Sequence, residues 1–462
     1  MDTRSDTRLD TRLDARLDYM DHASYLAFRA LGHHPTLHYT WVYDRAVDLD
    51  ALRRLSDRLH QGRFARVVEA APGWGGRPRW VRPDAPVPIE VEPAMRPRSQ
   101  IEQWSVEVSR RPIDPGEGPP WRFGVLRLDD GGSAVAIVVS HTVTDGVGVL
   151  LGLREAVEGL DLGLAYPRRG ERARSRLSHW REVIGSLPEK VRALRAVVRQ
   201  MRAERSLPHR ASTAALPVAT PVAEFTAPDP PVRDGAARVV TFVSEASWDA
   251  CAERLGGTSN VLASALAARL GLHLGRVQRN GTVNLTIPVS VREGDDDLRG
   301  NALSSVVVTL DPAEVTHDLR PARAAMKAAL SARDANQLPL LAALPLVPFV
   351  PVWLLRRLER FALGADVNAV GCSNLGRVTG PVELIDGRPC QYAWGQFNEP
   401  GRPTAELARM GGQGFLGVTF SGGRVVINAV AFRPGADNSD EALLAIVHDV
   451  IAEFGLGPPL PW

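Results

Sequence analysis

A histidine and an aspartate separated by three residues form the most chemically informative segment of this 462-residue chain. The segment reads Ser140-His141-Thr142-Val143-Thr144-Asp145-Gly146. A histidine side chain has an ordinary pKa of about 6.5, so it can take up and return a proton at neutral pH. The spacing alone is weak evidence for a catalytic site, because a structural histidine and an aspartate that caps a helix would explain the same residues.

The surrounding pattern predicts where this segment lies. Residues 123–128 and 134–140 read as two strands joined by a turn at 129–132. The second strand is apolar on both faces, which predicts a central position in a sheet. A helix is predicted over residues 147–160. The segment therefore follows a buried strand and precedes a helix, a common position for ligand sites in α/β sheets.

Three further short motifs follow along the chain. They are Gly257-Thr258-Ser259-Asn260, Ile287-Pro288-Val289-Ser290-Val291-Arg292 followed by Gly300-Asn301, and Ser373-Asn374-Leu375-Gly376. Together with SHTVTDG, these motifs resemble the CoA-dependent acyltransferase superfamily and its HHxxxDG motif. Their order is similar to that of bacterial wax ester synthase/diacylglycerol acyltransferases. The superfamily also includes chloramphenicol acetyltransferases and nonribosomal peptide condensation domains. Four motifs in order are more specific than one.

Two departures separate this chain from the wax ester synthase group. Ser140 replaces the first of the two adjacent histidines, whereas His141 resembles the second, which is the catalytic one in the family. The SNxPGP form of the later motif is here SNLGRV. Because of these changes, the resemblance does not decide whether the chain makes wax esters or triacylglycerols.

The resemblance implies a mixed α/β fold with two chloramphenicol-acetyltransferase-like lobes and a tunnel between them, with His141 near its middle. It implies transfer of an acyl group from acyl-CoA or a carrier-bound pantetheine thioester to a hydroxyl or amine, without an acyl-enzyme. His141 would deprotonate the acceptor. The thioester is a co-substrate, and no other cofactor is expected. Two alternatives stay open: a standalone condensation-type enzyme fed by an acyl or peptidyl carrier protein, and a non-catalytic relative that binds a partner or lipid.

The resemblance also assigns candidate site residues. The catalytic motif residues are His141 and Asp145, and Asp145 is expected to pair with Arg292 and to hold the histidine loop together with Gly146. The candidate substrate-binding residues are Ser140, Asn301, Ser373 and Asn374. The last two, together with nearby backbone N–H groups, are the candidate donors to the tetrahedral oxyanion. No metal is expected, because His33, His34 and His38 come without a carboxylate or cysteine ligand set.

The chain divides into four predicted segments. Residues 1–18 form a charged leader with a four-residue repeat, and residues 19–166 form the first lobe. Residues 167–236 contain a basic helical stretch and a linker rich in proline and alanine. Residues 237–462 form the second lobe, with a helix at 261–274, strands at 282–289 and 304–310, a hairpin of 414–420 with 424–432, and a helix at 440–454. The basic stretch carries an apolar stripe of Leu177, Trp180, Val183, Ile184 and Leu187.

Composition narrows the class of protein further. The chain is 44% hydrophobic and 23% charged, which is typical of a globular protein. Its 55 basic and 53 acidic residues argue against a dedicated nucleic-acid binder. Three cysteines are too few for a disulfide framework, and no apolar segment follows Met1, so we expect a cytoplasmic protein.

An uncharged stretch at residues 338–355 is long enough to span a bilayer, but four prolines argue against a spanning helix. Core packing, or an apolar surface for peripheral membrane contact or a greasy substrate, remains open. Gly412 to Gly417 match GxGxxG, but a hairpin follows instead of a helix, so dinucleotide binding is rejected.

Overall fold

The computed structural model describes residues 15–171, 176–206, 235–332, 343–355 and 368–462. Residues 1–14 of the predicted leader lie outside the described residues. So do residues 207–234 of the predicted linker and 338–342 of the apolar stretch.

The first of two main sheets is built around the strand that ends at Ser140. Its five strands are β1 (Thr36–Tyr43), β4 (Ile89–Val91), β5 (Trp121–Arg127), β6 (Ser133–Ser140) and β11 (Tyr392–Asn398). Their order is β11-β1-β6-β5-β4. Every residue of β6 is buried, as expected for an apolar strand covered on both faces. The strands predicted at 123–128 and 134–140 are thereby confirmed.

The second main sheet has six strands. They are β7 (Ala237–Ser244), β8 (Val283–Ser290), β9 (Leu303–Leu310), β10 (Val370–Arg377), β12 (Gln413–Ser421) and β13 (Arg424–Phe432). Their order is β7-β13-β12-β10-β8-β9. A small separate sheet pairs β2 (Val67–Glu69) with β3 (Arg79–Val81). The predicted hairpin is confirmed, since β12 and β13 pair antiparallel from Gln413 opposite Phe432 to Ser421 opposite Arg424.

One strand joins the two sheets. β11 belongs to the segment predicted as the second lobe, yet it pairs antiparallel with β1, with Thr36 opposite Asn398. The chain then returns to the second sheet as β12. Across this junction the Asn428 side chain donates to the Gly395 carbonyl at 3.1 Å. Residues 237–462 are therefore not confined to one sheet, and the two sheets meet along β11 and β12.

The described part of the chain contains eleven α-helices. They are α1 (Tyr19–Leu31), α2 (Leu49–Leu59), α3 (Ile101–Ser109), α4 (Gly146–Glu158), α5 (Arg176–Gly185), α6 (Leu187–Ser206), α7 (Glu245–Arg254), α8 (Ser259–His273), α9 (Arg320–Ser331), α10 (Thr404–Arg409) and α11 (Asp440–Glu453). The helices predicted at 147–160, 261–274 and 440–454 are confirmed as α4, α8 and α11. Helix α8 is apolar around most of its circumference and is accordingly buried in the core of the second sheet.

The predicted basic stretch and the apolar stretch lie side by side. The basic stretch forms two helices, α5 and α6, and Val183 is the one buried residue of its predicted apolar stripe. The described end of the apolar stretch forms a 3-10 helix, Leu344–Phe349, which packs against α1 and α6. In the described ranges, no helix has both the length and the hydropathy needed to cross a bilayer.

Candidate active site

His141 lies where the two main sheets meet. Strand β6 ends one residue earlier, and the His141 backbone N–H donates to the Pro35 carbonyl at 3.0 Å. Its half-buried ring meets Phe397 of β11 edge-on, with the ring centroids 6.0 Å apart. The ring centroid of Phe397 in turn lies 5.5 Å from that of Phe415 of β12. Both sheets therefore contribute to the apolar surroundings of this imidazole.

Asn301 determines which ring nitrogen of His141 carries the proton. The Asn301 side-chain nitrogen donates to the His141 carbonyl at 2.9 Å and to a carboxylate oxygen of Asp21 at 3.0 Å. Both partners accept only, so the amide oxygen must face His141 Nδ1, which lies 2.8 Å away. The hydrogen-bond network thus assigns the proton to Nδ1 and leaves a lone pair on Nε2. Nε2 has no hydrogen-bond partner among the described residues.

Asp21 of α1 fixes the position of the Asn301 side chain. Its fully buried carboxylate also accepts hydrogen bonds from the backbone N–H groups of Gly300, at 2.9 Å, and Asn301, at 2.7 Å. Burial raises the pKa of Asp21 to about 6, so the group is still ionised at neutral pH. A Cβ on Gly300 would lie 2.8 Å from the carboxylate, so only glycine permits this approach. The sequence pattern did not reveal Asp21.

Asp145 and Arg292 form the buried ion pair that the resemblance implied. One Asp145 oxygen accepts from the Gly148 N–H at 2.7 Å and caps α4. The other accepts from Arg292 Nη2 at 2.7 Å and from the Ala302 N–H at 2.9 Å. The Asp145 and Arg292 side chains are 0% and 4% exposed. Asp145 therefore fixes the loop that carries His141, and its oxygens are already occupied by the protein.

Two arginines connect the loop at residues 297–299 to the SHTVTDG motif. Arg292 Nη1 donates to the carbonyls of Asp297, at 2.7 Å, and Arg299, at 3.1 Å. Arg66 donates to the Val143 carbonyl and to the Leu298 carbonyl, both at 2.7 Å. Arg66 was also missed by sequence reasoning, because a lone arginine before a short strand carries no pattern.

The later SNLG motif reaches the start of α4. The Leu375 side chain lies so close to Gly146 that a Cβ there would be 3.2 Å from it. Tyr39 donates its hydroxyl proton to the Gly146 carbonyl at 3.1 Å. Gly146 thus marks a close contact between the two sheets at the first turn of α4.

The candidate substrate-binding residues lie in different environments. Ser140 is fully buried, and its hydroxyl accepts from the Thr142 N–H at 3.2 Å, so it stabilises the turn. Asn301 is occupied by His141 and Asp21. Asn374 bonds to Asn260 and to the Gly376 N–H instead of to His141. Ser373 is half-buried on β10. Asn301 and Ser140 therefore serve the protein's own geometry, and a substrate contact at Ser373 stays a prediction.

A cavity of about 450 Å³, wide open to solvent, is lined in part by Asn260. Two cationic side chains, Arg323 and Lys327 of α9, line it together with the apolar Val261, Met326 and Leu330. Because Asn260 bonds to Asn374 and the adjacent Leu375 contacts Gly146, this cavity is linked to the start of α4 through these residues.

His33, His34 and His38 are all buried, and they lie in different surroundings. His33 lies 2.9 Å from a carboxylate oxygen of Glu406, and His34 packs edge-on against Phe28. His38 is fully buried in β1. In the part of the chain that the structure describes, no group of three histidine, cysteine or acidic side chains is placed to hold a metal ion.

Comparison with known proteins identifies the fold. No family model and no curated protein matches the sequence. The first condensation domain of the CDA synthetase matches with a TM-score of 0.58 and 14% identity over 95% of each chain. A mutant of the starter condensation domain of the rhizomide synthetase RzmA, in complex with C8-CoA, matches with a TM-score of 0.52 and 14% identity over 95% of this chain and 94% of that one.

A structure outside the synthetases matches as well. TRI101 of F. sporotrichioides, complexed with coenzyme A and T-2, matches with a TM-score of 0.53 and 13% identity over 91% of this chain and 95% of that one. The predicted mixed α/β fold is thereby confirmed. At these identities the similarity concerns the fold.

Proposed function

We propose that the protein is an acyltransferase that moves an acyl group from a thioester to a hydroxyl or amine acceptor, with a hydroxyl favoured. The observation that carries the proposal is the contact between His141 and Asn301. It assigns the ring proton to Nδ1 and leaves Nε2 as a proton acceptor at the junction of the two sheets. The relatives in fold include proteins solved with C8-CoA and with coenzyme A, which supports a thioester donor.

The proposed reaction needs one base and no covalent enzyme intermediate. His141 Nε2 accepts the proton of the acceptor hydroxyl or amine while its oxygen or nitrogen attacks the thioester carbonyl. The tetrahedral intermediate then collapses, the carbon–sulfur bond breaks, and the departing thiolate takes the proton back from Nε2. His141 ends in its starting state. A positioned base of this kind contributes about 10²–10⁴-fold to the rate.

The oxyanion of the intermediate requires hydrogen-bond donors. We assign this role to the Ser373 hydroxyl and to backbone N–H groups near it, because the Asn374 amide is occupied by Asn260 and Gly376. Reactants would enter a tunnel between the lobes, as the resemblance implies. The cavity with Arg323 and Lys327 suits the phosphates of CoA or of carrier-bound phosphopantetheine, since both arginine and lysine bind phosphate.

The direct test is product analysis by mass spectrometry. Purified protein is incubated with acyl-CoAs or acyl-carrier thioesters and with panels of alcohols and amines. We expect an ester or amide product, and His141→Ala should lower its formation about 100-fold or more. His317→Ala, which changes an exposed histidine, is the matched control and should keep full activity.

The same experiment separates the alternatives. Turnover with carrier thioesters alone would indicate a condensation-type enzyme. If no thioester is consumed, or if His141→Ala is as active as the unchanged protein, acyl transfer by this site is wrong and a binding function remains.

A further inference from the structure

Large apolar side chains are exposed along one side of α5 and α6. Seven of them are between 36% and 63% exposed: Leu177, Trp180, Ile184, Leu187, Val191, Leu194 and Val198. They recur every three or four residues, so on each helix they form a single stripe. Isolated exposed apolar residues are ordinary, but a contiguous stripe over two helices marks an interaction surface.

The inward sides of both helices are packed, which fixes the orientation of this stripe. On α5 the ring of His179 lies directly against Gly73 and Gly76, and Val183 is buried. On α6 Lys190 and Ala193 are buried. The exposed stripe is therefore the outer face of helices that are already docked on the protein.

Exposed tryptophans gather around the same helices. Of the tryptophans that the structure describes, Trp74, Trp180 and Trp353 are the exposed ones. Trp74 packs edge-on against Phe349, with the ring centroids 4.7 Å apart. The Lys190 Nζ of α6 lies 5.4 Å from the centroid of the Phe349 ring. Trp353 follows Phe349 by four residues. Tryptophan is the side chain most typical of the membrane–water interface, because one end of its ring system is apolar and the other is polar.

The charges on this outer face have one sign. Arg181, Arg192, Arg195 and Arg199 are exposed. Glu182 and Glu189 are half-buried, and Glu189 accepts the Tyr19 hydroxyl proton at 2.8 Å. Within the side chains described for α5 and α6, no acidic residue is exposed.

We propose that the outer face of α5 and α6 docks on an anionic lipid bilayer. An amphipathic helix with arginines beside tryptophan, leucine and isoleucine lies in the headgroup region, where the apolar stripe enters the lipid and the arginines meet lipid phosphates and carboxylates. A protein partner would have to match an apolar stripe and four arginines at once, whereas a bilayer surface offers both environments without a specific shape. This proposal does not depend on the proposed acyl transfer.

Co-sedimentation with vesicles tests it. The full chain is mixed with vesicles of phosphatidylcholine, with or without phosphatidylserine, and we expect it to pellet with the anionic vesicles only. Arg192→Gln with Arg195→Gln and Arg199→Gln should weaken this binding about 100-fold, since each arginine near an anionic surface contributes roughly a fivefold factor. Trp180→Ser with Ile184→Ser and Leu194→Ser should weaken it about tenfold or more, because it removes apolar area that would enter the lipid.

Two control variants match these changes elsewhere on the surface. Arg279→Gln with Arg388→Gln and Arg409→Gln removes three exposed arginines, and Leu160→Ser with Val307→Ser removes exposed apolar side chains. Both should bind vesicles like the unchanged protein. Circular dichroism shows whether each variant is folded.

Three results would overturn the proposal. One is that the unchanged protein stays in the supernatant with every vesicle. Another is that the folded triple arginine and triple apolar variants of α5 and α6 pellet as well as the controls. The third is that sedimentation velocity shows a dimer that these two variants convert to a monomer, since the face would then join two copies of the chain.

Discussion

The amide of Asn301 lies between the imidazole of His141 and the carboxylate of Asp21, and it bonds to both. Its oxygen is 2.8 Å from His141 Nδ1, and its nitrogen is 3.0 Å from the Asp21 carboxylate. An amide cannot donate at both ends, so the two acceptors at its nitrogen, the charged Asp21 and the His141 carbonyl, together determine the proton position on the ring. In the proposed reaction, the base at Nε2 is thus set in part by a residue of the first helix.

Asp21→Asn tests this relationship. The new amide can donate as well as accept, so only the His141 carbonyl still requires the Asn301 nitrogen on that side, and the direction of the Asn301 amide is less strongly fixed. We expect nitrogen-15 NMR to show the His141 proton on Nδ1 in the unchanged protein and a shift toward Nε2 in the variant. We also expect kcat to fall about 100-fold, with a smaller change in KM, because an imidazole with a proton on Nε2 is not a base there.

The NMR measurement distinguishes a positioning role from a merely structural one. A variant that only loosened the fold would lower the melting temperature and leave the tautomer of the remaining folded protein unchanged. Asp18→Asn, which changes the carboxylate that caps the same helix, is the control and should leave the His141 resonances in place. An unchanged tautomer in folded Asp21→Asn protein would refute the role of Asp21 and show that the His141 carbonyl alone orients the Asn301 amide.

Arg292→Lys tests the buried pair with Asp145. Lysine cannot reproduce the fork of donors that reaches Asp145 and the carbonyls of Asp297 and Arg299. Removing one partner of a buried pair costs about 3–5 kcal/mol, and Arg292→Leu should approach this range, with Arg292→Lys losing less. Urea unfolding measures both changes. Arg320→Lys, at an exposed pair with Asp318, should change the free energy of unfolding by less than about 1 kcal/mol.

The sequence supplied the local elements and the buried pair, but not the network behind His141. Strand β6, helix α4 and the later hairpin follow from apolar periodicity, and the Asp145–Arg292 pair follows from the family resemblance. Asp21 was missed because an aspartate in the first turn of a helix is already explained by the helix dipole. The pairing of β11 with β1 joins residues that are far apart in the sequence, such as Thr36 and Asn398, and no local pattern encodes it.

The double change Arg323→Gln with Lys327→Gln tests the cavity beside Asn260 as a donor site. Both cations are exposed in that cavity and would contact the donor phosphates before chemistry. We therefore expect KM for acyl-CoA to rise about tenfold or more while kcat stays nearly constant, because the lost contact is made equally in the ground and transition states. Steady-state kinetics with acyl-CoA and with an acyl-pantetheine lacking phosphate provide the comparison. An equal effect on both donors would show that the cations do not bind phosphate, and Arg279→Gln is the control.

Glu102 of α3 gives a prediction about stability that does not involve the site. The residue as a whole is half-buried, but its Oε1 atom is buried without a hydrogen-bond partner. Burial raises the pKa of Glu102 from its ordinary 4.5 to about 8. Between these values the folded protein retains a proton that the unfolded chain has released, so the free energy of unfolding falls as the pH rises, by up to about 1.4 kcal/mol per pH unit.

Glu102→Gln removes this pH-dependent loss of stability. Its stability relative to the unchanged protein should rise from about pH 5 to about pH 8 and then level off, as measured by urea unfolding. In Glu107→Gln, on the same helix, the difference should stay constant over this range, because hydrogen bonding to Arg96 lowers the pKa of Glu107 and both states are ionised throughout. A flat difference for Glu102→Gln would mean that this carboxyl is hydrated in the folded protein.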